Sequence, residues 1–157
     1  GTGPIDLFAR LSRLQRTMNT PICLDESIAH PRDLLTALTY PNLANYAIKI
    51  GKFGGVQPTL EFIRMAKARG ISVWMGGMYD TGVSKRFHAA FETLPAASLP
   101  GDIGKPTRYF AKDITLPPYQ VKAGLVTLNA EDESFGAGCE LNHQVLREVW
   151  VDCTVIE

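Results

Sequence analysis

Short apolar runs alternate along the chain with stretches in which apolar residues return every third or fourth position. Four runs end in polar or glycine-rich residues: Pro21–Leu24 into Asp25-Glu26-Ser27, Tyr46–Ile48 into Lys49 and Gly51, Ile71–Met75 into Gly76-Gly77, and Ala96–Leu99 into Gly101-Asp102. Their ends are evenly spaced: Asp25 to Lys49 is 24 residues, Lys49 to Gly77 is 28 and Gly77 to Asp102 is 25. Helical stripes lie between and before them. Leu7, Phe8, Leu11 and Leu14 form an opening helix, and Leu34, Leu35 and Leu38 follow Pro31 at a first helical position. Leu60, Ile63 and Ala66 precede Gly70 at a C′ position, and Phe87, Ala90, Phe91 and Leu94 make the last stripe.

A helix followed by repeated strand–helix pairs predicts parallel βα units, because a right-handed crossover between parallel strands needs a dozen or more residues. Spacing alone leaves two architectures open, an open doubly wound sheet or part of a closed barrel. A complete (βα)₈ barrel takes about 250 residues, whereas this chain has 157 and four strand segments. After Asp113 the texture changes. Pro117 and Pro118 interrupt the pattern, Tyr119–Leu128 and Val149–Ile156 read as strands, and Leu141–Glu148 reads as a short helix. The expected division is therefore 1–113 for the βα units and 114–157 for a tail.

In parallel βα proteins the chemistry gathers at the carboxyl ends of the strands. Asp25, Lys49, Gly77 and Asp102 all fall there. Adjacent strand residues face opposite sides, so Asp25 is expected to point inward with Glu26 as its outer neighbour; the same residues could simply open a loop and cap the next helix. Lys49 stands between Ile48 and Ile50, where a charge is costly to bury unpaired. It is either a base with a pKa lowered by burial and a nearby cation, or a solvent-facing residue of an edge strand. The segment Gly51–Gly55 lacks phosphate-loop spacing. His30, His88 and His143 share no metal-ligand spacing, and His88 is expected as a packed surface residue of its helix. Glu131, Asp132 and Glu133 read as a solvated turn, and Trp74 and Trp150 as core.

Composition narrows the classes. Sixteen basic residues balance sixteen acidic ones, which leaves no overall field for nucleic acid or anionic membrane. Hydrophobic residues make up 45% and charged residues 20%, as in a globular chain, and no apolar run approaches the length of a membrane span. Cys23, Cys139 and Cys153 lack CxxC spacing and are expected as reduced, packed thiols, with the cytoplasm as the compartment.

Taken together, TPICLDESI (Thr20–Ile28), AIKIGKFGG (Ala47–Gly55), VWMGGMYDTG (Val73–Gly82), LPGDIGKPTRYFAKDI (Leu99–Ile114) and GAGCEL (Gly136–Leu141) closely resemble the enolase superfamily. The match is to its muconate-lactonizing subgroup, and within it to the o-succinylbenzoate synthase and N-acylamino acid racemase family. The resemblance implies an α/β fold, the C-terminal half of a (βα)₈ TIM-like barrel (strands five to eight), with a tail that packs towards a capping domain. It implies a parent enzyme that abstracts a proton α to the carboxylate of a small substrate, using Mg²⁺ (or Mn²⁺) held by three strand-end carboxylates.

By that resemblance Asp25 is the third metal carboxylate, with Glu26 beside it, and Lys49 is the lysine facing the α-carbon. Gly77, Met78 and Tyr79 line the substrate pocket. The family's paired lysines on strand two, its first two metal carboxylates and its N-terminal cap have no counterpart here. Asp80 replaces the usual glutamate, and Tyr79 is bulkier than the usual aliphatic residue. These residues alone are therefore expected to be inactive and to bind metal poorly. Alternatives are a muconate cycloisomerase or dipeptide epimerase parent, or a non-catalytic binding or scaffold half-barrel. The exposed edges of a half-barrel predict self-association.

Overall fold

The computed structural model describes residues 4–128 and 136–151. The turn expected at Glu131–Glu133, Cys153 and most of the strand expected at Val149–Ile156 lie outside them. Two compact units make up the chain: Gly1–Gly76 with Phe91–Asp102, and Gly77–Ala90 with Ile103–Glu157.

The first unit contains helix α1 (Pro4–Gln15), strand β1 (Cys23–Leu24), helix α2 (Pro31–Ala37), strand β2 (Asn45–Ile48), helix α3 (Val56–Lys67) and strand β3 (Ser72–Met75). The strands form one parallel sheet in the order β1-β2-β3, with Leu24 opposite Tyr46, Tyr46 opposite Val73 and Ile48 opposite Met75. Alternation puts Leu24, Tyr46, Ile48, Val73 and Met75 on one face, and all five are buried. The Phe62 ring of α3 meets Tyr46 edge-on at 6.2 Å and Phe53 at 4.6 Å.

Local chemistry sets the helix ends. His30 caps α2: its ring nitrogen accepts the Arg32 N–H, and Asp33 accepts the His30 N–H in return, with Pro31 at the first position. Within α2, Leu34 is buried but Leu35 is 55% exposed, and Ala37 completes the covered stripe. At the end of α3, Gly70 has φ of 67°. Its N–H donates to Lys67 and that of Ile71 to Ala66, a Schellman termination with glycine in the left-handed position.

The fourth expected strand, Ala96–Leu99, shrinks to one parallel bridge between Val73 and Ala97. The reason is a side chain. The Met75 N–H donates to Glu92 Oε2 at 2.9 Å, and Gly101 also donates to this carboxylate. A carboxylate thus occupies a place in the ladder that a neighbouring carbonyl would fill, and Pro100 has no N–H to offer. Burial pushes the Glu92 carboxyl up from its ordinary value, and the two N–H donors oppose that shift.

In the second unit lie the helix α4 (Gly82–Glu92, up to Ala90), a 3₁₀ turn at Pro106–Arg108, strands β4 (Thr115–Leu116) and β5 (Glu140–Leu141), and helix α5 (His143–Val149). The strands β4 and β5 pair antiparallel. Asp113 is the unit's anchor. Its carboxylate accepts the Gly82 N–H at 2.8 Å, the Thr115 hydroxyl at 2.7 Å and the Tyr119 N–H at 2.9 Å. A Cβ on Gly82 would fall 2.2 Å from Asp113 Oδ2, so the start of α4 needs glycine.

Several expectations change in this unit. Tyr119–Leu128 is not a strand; it turns back at Ala123 and Gly124, both at positive φ, and keeps one bridge between Lys122 and Leu125. The helix expected at Leu141–Glu148 begins at His143, where Asn142 caps it by accepting the Val145 N–H. Trp150 is 57% exposed and follows this helix rather than lying in a core strand. On α4 the buried side chains include Lys85, His88 and Ala89, whereas Ala90 is exposed. The apolar stripe missed this face because two polar residues occupy it.

Candidate active site

Asp25 and Lys49 leave adjoining parallel strands at their carboxyl ends, and the structure brings them into contact. Lys49 is 8% exposed, and its ammonium donates to Asp25 Oδ2 at 2.8 Å. The other oxygen, Oδ1, accepts from Lys52 Nζ at 3.2 Å. Lys52 reaches it because the chain after β2 folds back: the Lys52 N–H donates to the Lys49 carbonyl and the Gly55 N–H to that of Ile50. Gly54 and Gly55 take positive φ angles of 84° and 112°, backbone open to glycine at no steric cost.

One carboxylate therefore serves two ammonium groups. Partial burial alone would raise the Asp25 carboxyl, but hydrogen bonds from Lys49 and Lys52, and then their charges, outweigh it and hold the group below its usual range. Glu26 sits 3.9 Å from Lys49 Nζ with its side chain 83% exposed, a solvent-screened contact of small weight.

Gly76 completes the lysine's surroundings. Extending the β2–β3 register by one residue sets it beside Lys49, and its N–H donates to the Ile48 carbonyl at 2.8 Å. A Cβ there would come within 2.9 Å of Lys49 Cε and 3.3 Å of Cγ, so any larger residue would make the lysine stem shift from this position. Neither Gly76 beside Lys49 nor Lys52 on Asp25 was expected. A glycine directly after a strand, beside a strand-end lysine, was the available signal for the first.

On the same sheet face, the Trp74 indole N–H donates to Cys23 Sγ at 3.2 Å. Trp74 is half-buried and Cys23 exposed, so neither is the packed core residue expected. Cys139 is a half-buried free thiol.

Gly77, Met78 and Tyr79 belong to the second unit. Gly77 is half-buried, whereas Met78 and Tyr79 are exposed, Tyr79 to 75%. The Tyr79 ring meets Tyr109 edge-on at 4.7 Å, and Arg108 lies over Tyr109 at 5.8 Å. His88 is buried rather than at the surface. Burial holds its imidazole below the ordinary value; Asp80 opposes that shift and Lys85 adds to it.

Among the described residues no three His, Cys, Asp or Glu side chains gather into a metal-holding group. Asp25 offers one carboxylate whose oxygens both face ammonium groups, so these residues by themselves do not fit a divalent ion.

A parallel βα sheet that sets a carboxylate and a buried lysine at adjoining strand ends has the layout of a βα-barrel protein with its chemistry at the strand C-termini. Residues 3–145 match the family described as enolase C-terminal domain-like, and the chain belongs to that family. The o-succinylbenzoate synthase of Enterococcus faecalis is 33% identical over 137 residues, which are 87% of this chain and 36% of that protein. The N-succinylamino acid racemase of Thermus thermophilus is 33% identical over 130 residues, 83% of this chain and 34% of that one.

Among solved structures, muconate cycloisomerase from Pseudomonas fluorescens superposes with a TM-score of 0.81 at 27% identity, over 92% of this chain and 39% of its own. The chain thus spans little more than a third of the length of these relatives. Its fold is the C-terminal half of the superfamily's (βα)₈ barrel, with β1, β2 and β3 as strands five, six and seven and the Ala97 bridge marking the eighth.

Asp25→Asn preserves shape and removes the charge. Because the native carboxyl is held below its ordinary, unfolded-chain value, the pair favours the folded state above that value. Its contribution is lost as pH falls through the lower native value. At pH 7 the variant is expected to lose on the order of 1–3 kcal/mol, and the difference should shrink in acid. Urea unfolding of both proteins from neutral pH into acid measures this; a pH-independent difference would contradict the shared-carboxylate geometry.

Proposed function

We propose that this chain is the C-terminal part of an enolase-superfamily enzyme that abstracts a proton α to the carboxylate of a small substrate, with Lys49 as the proton carrier. The reaction class is that of its o-succinylbenzoate synthase and N-succinylamino acid racemase relatives. The observation that carries the reading is the buried Lys49 ammonium, 2.8 Å from Asp25 at the strand ends and laid against Gly76.

A proton next to a carboxylate is very weakly acidic, and its loss leaves an enediolate whose charge must be met by fixed positive groups. Lys49 takes the proton onto Nζ, and Asp25 meets the resulting ammonium. Lys52 keeps a second positive charge on that carboxylate. In a complete protein Asp25, with Glu26 in support and further carboxylates from outside these residues, would help hold Mg²⁺ (or Mn²⁺), which would supply positive charge for the enediolate. Gly77, Met78 and Tyr79 line the pocket there, a role supported by family resemblance and by the exposure of the last two. In this reading residues 1–113 are the half-barrel and 114–157 the tail. The likeness to muconate cycloisomerase supports cycloisomerisation as a second reading, which uses the same strand-end groups.

The test is α-proton exchange in D₂O, followed by NMR on an N-succinylamino acid with the full-length protein and Mg²⁺. Lys49→Ala should lower exchange by about 10²-fold or more, and unchanged exchange would remove Lys49 from the reaction.

The 157-residue chain by itself is inferred to be inactive and to self-associate. Among the described residues β1 has no strand on its outer edge, and Cys23 and Trp74 keep the inner sheet face partly open. Sedimentation at micromolar concentration should show dimers or larger species; a strictly monomeric boundary would refute this.

A further inference from the structure

The buried face of α4 carries an ion pair that the proposed chemistry does not use. Lys85 is 1% exposed. Its ammonium donates to the Met78 carbonyl at 3.1 Å and lies 3.4 Å from Asp80 Oδ2. The same Oδ2 accepts the Met78 N–H at 2.8 Å, and Oδ1 accepts the Ser84 hydroxyl at 3.1 Å. His88 Nδ1 stands 3.8 Å from Oδ2 and closes the cluster from the next turn of the helix. Both main-chain polar groups of Met78 are thus gripped, the N–H by Asp80 and the C=O by Lys85.

This arrangement is expensive for what it satisfies. Desolvating an ammonium costs several kcal/mol, and a buried pair often contributes no more stability than apolar residues of the same volume. A carbonyl at a loop needs no more than a neutral donor or water. What the pair achieves is geometric: the backbone is fixed on both sides of a residue whose own side chain, with that of Tyr79, stays in solvent. Apolar and aromatic groups held outward on an immobilised backbone lose little freedom when a ligand covers them.

We propose that Lys85 is a positioning residue: with Asp80 it locks the Met78 peptide so that Met78 and Tyr79 present a pre-formed contact for the non-reacting, apolar part of the substrate. The proposal rests on the reading of Gly77–Tyr79 as pocket lining. It assigns specificity to a lysine that does not touch the substrate. Removing its hold weakens ground-state and transition-state binding alike, which raises KM and leaves kcat nearly unchanged.

The experiment uses the full-length protein with Mg²⁺ and an N-succinylamino acid, in wild type, Lys85→Met, Lys85→Arg and Asp80→Asn. Amide hydrogen exchange is read on a peptide covering residues 76–81 and on a control covering 143–149. Lys85→Met should speed exchange in 76–81 by about tenfold while the control is unmoved. It should also raise KM by about tenfold with kcat within about twofold. Lys85→Arg should restore both, and Asp80→Asn, which keeps an acceptor for Met78, should act in the same direction if Lys85→Met does not fold. Unchanged protection of 76–81, or an equal rise in the control, overturns the proposal. A loosened loop with KM unchanged instead overturns the pocket-lining reading on which it rests.

Discussion

A single carboxylate shared by two ammonium groups is the constraint around which the strand ends are built. β2 can carry a lysine into the protein only because Asp25 meets it at the end of the neighbouring strand, and parallel pairing delivers both side chains to the same end of the sheet. The condition extends outward. Gly76 beside Lys49 leaves room for its stem, which a larger residue there would displace. Lys52 needs the glycine-rich turn that folds it back onto the same carboxylate. With two positive partners, the Asp25 carboxyl is held below its ordinary value.

The second unit solves a like problem with different parts. Lys85 is buried more deeply than Lys49, and it too is held by an aspartate, here with a backbone carbonyl added. In the first unit the pairing holds a lysine at the strand ends; in the second the lysine also binds the Met78 carbonyl of the loop before α4. Buried lysine is expensive in both, and in both the compensation is a carboxylate a few ångströms away. Glu92 shows the converse economy: a half-buried carboxylate with no ion-pair partner among the described residues takes its bonds from two backbone N–H groups, at a place where the sheet keeps one bridge instead of a strand.

Much of this was legible in the residues. Short continuous apolar runs marked β1, β2 and β3, and Pro31 and Gly70 marked helix ends through conformations that proline and glycine favour. Asp25 and Lys49 stood out because charges at strand ends are rare without a purpose, and the ordered motifs carried the family. What escaped had no periodic signature. Lys52 depends on how a glycine turn folds back. Glu92 replaces a ladder bond from a helix, which no strand pattern reports. The buried face of α4 defeats hydrophobic periodicity because Lys85 and His88 lie on it. The tail escaped because Tyr119–Leu128 reads as one strand, whereas Ala123 and Gly124 take positive φ and turn the chain back on itself.

The most direct measurement of the central interaction is a double-mutant cycle on unfolding free energy at neutral pH, with Asp25→Asn, Lys49→Met and the combined variant. Groups in hydrogen-bonded contact at 2.8 Å are expected to couple favourably by about 0.5–3 kcal/mol. Additive effects of the two substitutions, within about 0.3 kcal/mol, would mean that Asp25 and Lys49 do not hold one another and that the strand-end site is not built as described.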